Sequence, residues 1–475
     1  MPEPGAGGTL EPNAVVADLE LTRAWLVDPV SGLEGPGEIV VRDGVLEAVT
    51  WLEGEEADGV EPDGVIVVPG FIDLHAHLRE PGGEDAETVA SGLAAAAHGG
   101  FTAVCAMANT EPAVDDGAVL ALVRAAARAS GSPVALLPYG AVSAGRAGEQ
   151  LAALGELADA GAVGFSDDGS PVRTGSLLRN ALAYAGALGL PIVEHAEDRG
   201  MTDGAEAGEG LVATVLGLKG WPVAAEVSAV SRDLAVLADV LRDVPGARLH
   251  LTHLSSAAAL DLVRAAKAAG LPVTCDVTPH HLALTDEWVA GARRWSWEAH
   301  GQADPWRAGE IVADAYDSSC RVNPPLRAPS DAVACLEALT DGTADAVATD
   351  HAPHTQVDKE AEFGLAANGI SGIETAIGVL LAAVDAGHLT LAAAIAALTT
   401  GPAAVLGGRL GRRVGLVEGA PADLVVIDRS ATWRVEPGTL RSKGHNTPLL
   451  GADLPGRVLL TIAGGRLAYA DELEG

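Results

Sequence analysis

Lysine is almost missing from this chain of 475 residues, occurring only at Lys219, Lys267, Lys359 and Lys443. Lys and Arg together number 30 against 65 Asp and Glu, a formal net charge of −35. A surface so poor in positive charge repels phosphate backbones and anionic lipid, which excludes nucleic acid and an anionic membrane surface as partners. Aromatic residues are only 3% of a composition that is 48% hydrophobic, so Ala, Val and Leu must build the core. The four cysteines, Cys105, Cys275, Cys320 and Cys335, show no CxxC spacing and are too few for a disulfide framework. A reduced, cytoplasmic chain fits. The start, MPEPGAGGTLEPN, lacks the basic and apolar regions of a secretory signal. No uninterrupted apolar run reaches ~18 residues, the length a membrane helix needs. Residues 1–13 carry Gly, Pro and Glu without periodicity and are expected to form a disordered tail.

What is present is an α/β pattern between two β-rich ends. LTRAWLVDP, GEIVVRDG and VLEAVTWLE near the start, and ADLVVIDRSATWRV and GRVLLTIAGGRLAY near the end, read as strands broken by turn residues. Between them, VIVVPGFIDL, FTAVCAMA, PVALLPYG, AVGFSDD, PIVEHAE, RLHLTHL, PVTCDVTPH and DAVATDH are strand-like, each followed by an Ala/Leu-rich helical segment. Eight such units point to a (β/α)8 TIM-like barrel with a parallel sheet inside a ring of helices. The expected domains are a small β-sandwich domain from residues 14–66 with 405–475, and a barrel over 67–404. An insertion at about 287–319 interrupts the barrel and holds Trp288, Trp295, Trp297 and Trp306. Its plain reading is a loop packed on the barrel, and its sharper one an interface or active-site cover.

The polar residues fall at the strand ends. His75 and His77 are two apart, so a strand presents both imidazoles on one side. His195, His253 and Asp350 end other strands, as does the Asp167-Asp168 pair. Nine of the 13 histidines lie on or just beyond predicted strand ends. In a barrel those ends converge on one mouth. Imidazole and carboxylate without thiolate suit catalytic Zn²⁺. Six candidate ligands, His75, His77, Asp168, His195, His253 and Asp350, exceed the needs of one open site and suit two zinc ions ~3.5–4 Å apart. Asp350 could carry a proton from an activated water to a leaving nitrogen. Spacing alone does not separate Asp167 from Asp168.

The motifs PGFIDLHAHLREPGGE, AMANTEP, FSDDGSPV, EHAED, HLTHLS, DVTPHHL, RVNPPLR and ATDHAPHT, in this order from about Val65 to Pro402, resemble the amidohydrolase superfamily. Within it they resemble dihydroorotase of the bacterial class I type, and SKGHNTPLLG near the end is similar too. The resemblance implies reversible hydrolysis of dihydroorotate to carbamoyl-aspartate in pyrimidine synthesis. It assigns His75 and His77 to a first metal site and His195 and His253 to a second, one or two zinc ions per subunit. Asp350 becomes both ligand and general acid/base, and Asp168 rather than Asp167 the bridging carboxylate. Arg79, Asn109 and His354 would hold the substrate carboxylate, with His77 also at the substrate. Asn323 would contact the ring, and Asn368 with Gly369 would contribute through the backbone.

The shortage of lysine matters here. Hydantoinases, dihydropyrimidinases and allantoinases bridge their metals with a carboxylated lysine on the fourth strand, and no lysine of this chain lies near it. Two alternatives remain: another cyclic amidase, or an inactive dihydroorotase-like scaffold for aspartate transcarbamoylase. A homodimer and association with that transcarbamoylase are possible partners under the resemblance. Ala108 and Asn368 depart from the family's usual proline and phenylalanine.

Overall fold

The computed structural model describes residues 13–298 and 315–471. The tail expected at 1–13 lies outside them except for Asn13, as does Trp306 of the insertion.

The two ends of the chain zip together. Asp18–Asp28, Leu33–Arg42 and Val45–Trp51 form an antiparallel meander. Its second turn is Asp43-Gly44, both at positive φ, which matches the twist of the flanking strands. Gly464-Gly465 makes the corresponding turn between Asp453–Ala463 and Arg466–Ala470. These two turns touch: a Cβ on Gly44 would lie 2.8 Å from the Gly465 carbonyl. Val65–Pro69 joins the halves, parallel to Asp18–Asp28 and antiparallel to Leu424–Arg434. The result is one seven-stranded sheet. Val67, Leu26, Ile39, Leu424 and Ile462 fill an apolar cluster of its own. Ile66, Val68, Val425 and Ile427 point the other way, into the main core. Both faces are therefore covered, and this is why VIVV is apolar without alternation.

VIVVPGFIDL, read as one strand, is two. The chain leaves the sheet at Pro69 and begins the next strand, Phe71–Ala76, after Gly70. Gly70 allows the close passage, since a Cβ there would meet the Thr102 side chain at 2.4 Å. The sheet thus extends past residue 66, and at the other end helices continue to Leu406 before the sheet resumes at Leu424.

The middle of the chain pairs in a closed parallel order. Phe71–Ala76 pairs with Phe101–Ala106, and that with Ala135–Pro138. Bridges at Gly140–Phe165 and Phe165–Ile192 lead to Ile192–His195. Leu249–Thr252, Val273–Val277 and Ala346–Val347 follow. A bridge from His351 to Ala76 returns to the start. Helices connect the strands, with side-chain caps such as Asp116 at Gly117–Ser130 and left-handed Gly131 at its end. One apolar cluster gathers Ile72, Leu74, Cys105, Tyr139 and Val193 from the strands with Val405, Leu406 and Leu410. Leu391–Leu410 has the length and composition to cross a membrane, but half of its most apolar window is buried. Helix Leu391–Leu398 packs against the Phe71–Ala76 and Ala346–Val347 strands, as a core helix does.

The described part of the insertion packs on this body. Trp288 is buried, Trp295 and Trp297 stack at 5.3 Å, and the Ser296–Glu298 turn rests on helices Pro279–Ala283 and Pro329–Thr340. His98, which sequence context suggests is a surface residue, instead joins helix Val89–His98 to the terminal sheet. It bonds Glu374 at 2.6 Å and meets the Tyr469 ring edge-on at 4.9 Å.

Candidate active site

Four imidazoles and two carboxylates from five strand ends meet in one buried cluster. His75 and His77 bring their Nε2 atoms to 3.3 Å of each other. Asp350 Oδ1 lies 3.1 Å from His77 Nε2 and 3.4 Å from His75 Nε2. Across the cluster, His195 Nδ1 and His253 Nε2 approach to 3.0 Å. Asp168 stands between the two pairs. Its Oδ1 faces His253 at 3.2 Å and His195 at 3.4 Å, while its Oδ2 faces His75 at 3.3 Å and His77 at 3.5 Å. Asp167 turns away and accepts from the backbone N–H of Val142 and Ser143 and from the Ser143 hydroxyl. His253 and Asp350 both take positive φ, 42° and 44°, a strained conformation that aims them inward.

The partners behind the ligand candidates decide which nitrogen faces the centre. His77 Nδ1–H donates to Asn109 Oδ1 at 2.9 Å, His75 Nδ1–H to Thr252 Oγ1 at 2.8 Å, and His195 Nε2–H to Glu197 Oε2 at 2.9 Å. Each leaves a bare lone pair pointing inward. The Thr252 hydroxyl in turn donates to Asp276 at 3.1 Å, whose other contacts are the His253 N–H at 2.6 Å and His250 Nε2 at 2.7 Å. Asp73 accepts from the Thr349 N–H at 2.9 Å and hydroxyl at 2.5 Å. Inward lone pairs and two carboxylates so close repel one another unless a cation lies among them. The donor set is nitrogen and oxygen in two groups that share His75: His75 with His77 and Asp350, and His75 with Asp168 and His253. The residues present therefore fit divalent metal ions.

Without metal the same contacts trap protons. His75 is pushed up to about 9 and His195 to about 10; burial opposes this, and Asp168 outweighs it together with Asp350 at His75 and Glu197 at His195. Asp168 and Asp350 are held below the usual carboxylate range against the cost of burial, by His75 above all. Glu197 is held at about 2, again against burial, by His195 and then Thr202 and Asn323. Metal binding would release the imidazole protons.

Above the cluster lie the residues expected to hold substrate. Arg79, at φ 58°, donates from Nε to the Pro353 carbonyl at 3.1 Å and sets its fork 3.2 Å from His354 Nε2. His354 is held near 4 by burial and then by Arg79, so it is neutral at pH 7. Asn109 spends its carbonyl on His77 and keeps its amide N–H groups. Asn323 donates to Glu197 at 3.2 Å, and its buried Oδ1 has no partner among the described residues. The Asn368-Gly369 backbone is largely engaged. The Asn368 carbonyl accepts from His354, the Gly369 N–H donates to the Arg321 carbonyl, and the Gly369 carbonyl accepts from Lys359 and Asn446.

Sequence reasoning missed Glu197, Asp73, Asp276, Asn446 and Lys359. Glu197 stands two residues after His195, a spacing that could have flagged it. Asn446 uses its whole amide, accepting from the His354 N–H and Ser371 and donating to the carbonyls of Ala352 and Gly369. His281 bonds Thr278 and the Pro324 carbonyl, and His351 bonds Glu87; both are buried supports.

The Dihydro-orotase-like family matches residues 64–259. A dihydroorotase of Anaeromyxobacter dehalogenans (strain 2CP-1 / ATCC BAA-258) is 47% identical over 94% of this chain and 96% of its own. One of Pelotomaculum thermopropionicum (strain DSM 13744 / JCM 10971 / SI) is 42% identical over 94% and 97%. Among solved structures, the L-hydantoinase (dihydropyrimidinase) from Arthrobacter aurescens superposes with a TM-score of 0.76 at 23% identity, covering 95% of this chain and 96% of that one. A D-hydantoinase gives 0.73 at 20% identity, covering 95% of each. The mixed α/β fold is thus that of these hydantoinases, and the dihydroorotase relatives define the class, hydrolases of cyclic amides. Within that class, the chain belongs to the dihydroorotase family.

Proposed function

We propose that the chain is a metal-dependent dihydroorotase, hydrolysing the ring amide of dihydroorotate to carbamoyl-aspartate and closing it again in pyrimidine biosynthesis. The observation that carries this reading is the join of two features. A carboxylate, Asp168, lies between two imidazole pairs, and an Arg79–His354–Asn109 group adjoins it through His77. His75, His77 and Asp350 would hold one zinc ion, and His195 with His253 a second, with Asp168 between them. So held, zinc would activate water and polarise the amide carbonyl.

The chain's own residues do the rest. Asp350 stays ionised because positive charge at its oxygens, the His75 proton or the metal that would replace it, offsets its burial. With Oδ1 turned to the histidines, Oδ2 is left to take the proton of the attacking water and return it to the leaving ring nitrogen. The Arg79 fork, braced on the Pro353 carbonyl, and the free Asn109 amide offer donors to a substrate carboxylate. The Asn323 carbonyl, unpaired among the described residues, can accept a ring N–H. Glu197 links Asn323 to His195, so ring placement and the second imidazole pair share one support.

The closed strand order supports a (β/α)8 barrel, and the seven-stranded sheet a separate domain of both chain ends. Four buried free thiols suit a reducing compartment, and we place the enzyme in the cytoplasm. The resemblance also carries a homodimer and association with aspartate transcarbamoylase. Sedimentation of the purified chain, alone and mixed with the transcarbamoylase, tests both.

Metal analysis with a dihydroorotate hydrolysis assay tests the activity. Asp350→Ala should keep the fold and lose activity by several orders of magnitude, because one change removes a ligand and the proton carrier. An active Asp350→Ala enzyme would sink the mechanism. Hydantoin turnover without dihydroorotate turnover would favour the other cyclic amidases, and a metal-free inert protein the scaffold.

A further inference from the structure

A buried ammonium beside the substrate residues has no task in this scheme. Lys359 ends the short helix Gln356–Lys359 and is 5% exposed. Its Nζ donates to the carbonyls of Ala367 at 2.8 Å, Gly369 at 3.1 Å and Arg321 at 3.2 Å. These bonds occupy all three of its protons. Burying a cation against carbonyls is costly, because Asp317 offsets only part of the lost hydration. Residues kept at such cost are expected where function needs a fixed geometry.

The carbonyls belong to the two segments that carry the expected ring contacts. Arg321 is two residues before Asn323, and Ala367 and Gly369 flank Asn368. Other bonds run across the same seam. The Gly369 N–H donates to the Arg321 carbonyl at 2.9 Å, Arg321 Nε donates to Asn368 Oδ1 at 3.0 Å, and Arg321 also reaches the Phe363 carbonyl at 2.6 Å. On the far side the Asn368 carbonyl receives His354 at 2.8 Å. Lys359 thus binds both walls, and the second wall leads on to the carboxylate site.

We infer that Lys359 is a positioning residue: its ammonium pins the Arg321–Asn323 segment to the Ala367–Gly369 segment and so fixes the pocket that receives the substrate ring. This rests on the dihydroorotase reading. Burial brings Lys359 down to about 8, opposed by Cys320 and Asp317 and aided by Arg321. His354 also senses its charge. Losing the proton removes one of three donors and slackens the seam.

The test is steady-state kinetics of the zinc-loaded enzyme on dihydroorotate from pH 6.5 to 9.5, with melting and metal content as controls. Lys359→Met should raise KM about tenfold with a smaller change in kcat, the loss expected for charged hydrogen bonds that orient rather than react. Lys359→Arg should recover part of that loss. Wild-type KM should climb above pH about 8, and that rise should vanish in Lys359→Met. An unchanged KM in Lys359→Met overturns the inference. So does a wild-type KM that stays flat across the range, a measurement that needs no variant to fold. A wild type that turns over no dihydroorotate at any pH overturns the functional reading itself.

Discussion

Asp167 and Asp168 are chain neighbours with opposite duties. Asp168 presents both oxygens to four imidazoles, whereas Asp167 satisfies two backbone N–H groups and a hydroxyl in the Val142–Ser143 turn. Asp168→Ala is therefore expected to lose metal while melting close to metal-free wild type. Asp167→Ala should keep more of its metal but lose stability, by about 1–3 kcal/mol, since it leaves buried donors unpaired. Metal analysis and thermal melting of the two variants check this, and the reverse pattern would exchange their roles. Of the residues that support the site, Glu197 could have been flagged by its spacing from His195. Asn446 could not, because it lies 92 residues from His354 and its four bonds exist only once the C-terminal segment packs against His354, Ser371, Ala352 and Gly369.

Among the connecting elements, the turn Asp286–Trp288 that opens the tryptophan-rich stretch carries a carboxyl in an adverse place. Asp286 is pushed up to about 7 by burial, then by Glu287 and Asp331. Its proton is held more tightly in the folded chain than in the unfolded one. Stability from this group is therefore intact below pH ~4, falls as pH rises towards 7 and is lost above it. Asp286→Asn should raise stability by about 1–3 kcal/mol at pH 8 and leave it nearly unchanged at pH 4. Denaturant melts at the two pH values decide, and an equal gain at both would mean that charge is not the cause. Element boundaries were legible where turn chemistry marked them, as at Asp43-Gly44. They were not where one apolar run passed from the terminal sheet to the inner strands, since strands buried on both faces show no period.

For the whole molecule, charge is the dominant feature. A protein of net charge −35 that takes an anionic substrate slows its own encounters. Raising ionic strength from about 10 to about 150 mM shortens the screening length from about 30 to about 8 Å, and kcat/KM should rise about two- to fivefold. A fall in kcat/KM over that range would show that local positive charge at the mouth prevails over the net field. The terminal sheet matters at this scale too. It joins the two ends of the chain through Val65–Pro69 and Leu424–Arg434, and the segment between its later strands delivers Asn446 to the pocket.

The sequence by itself determined the alternation of strands and helices, the placing of histidines and aspartates at strand ends, and the absence of a lysine to bridge metals. Those are local properties, set by side-chain period and residue type. Only the tertiary structure decided which aspartate faces the centre, which nitrogen of each histidine points inward, and that Lys359 and Asn446 meet at the Gly369 carbonyl. These depend on contacts between residues far apart in the chain, and no local pattern encodes the distances between them.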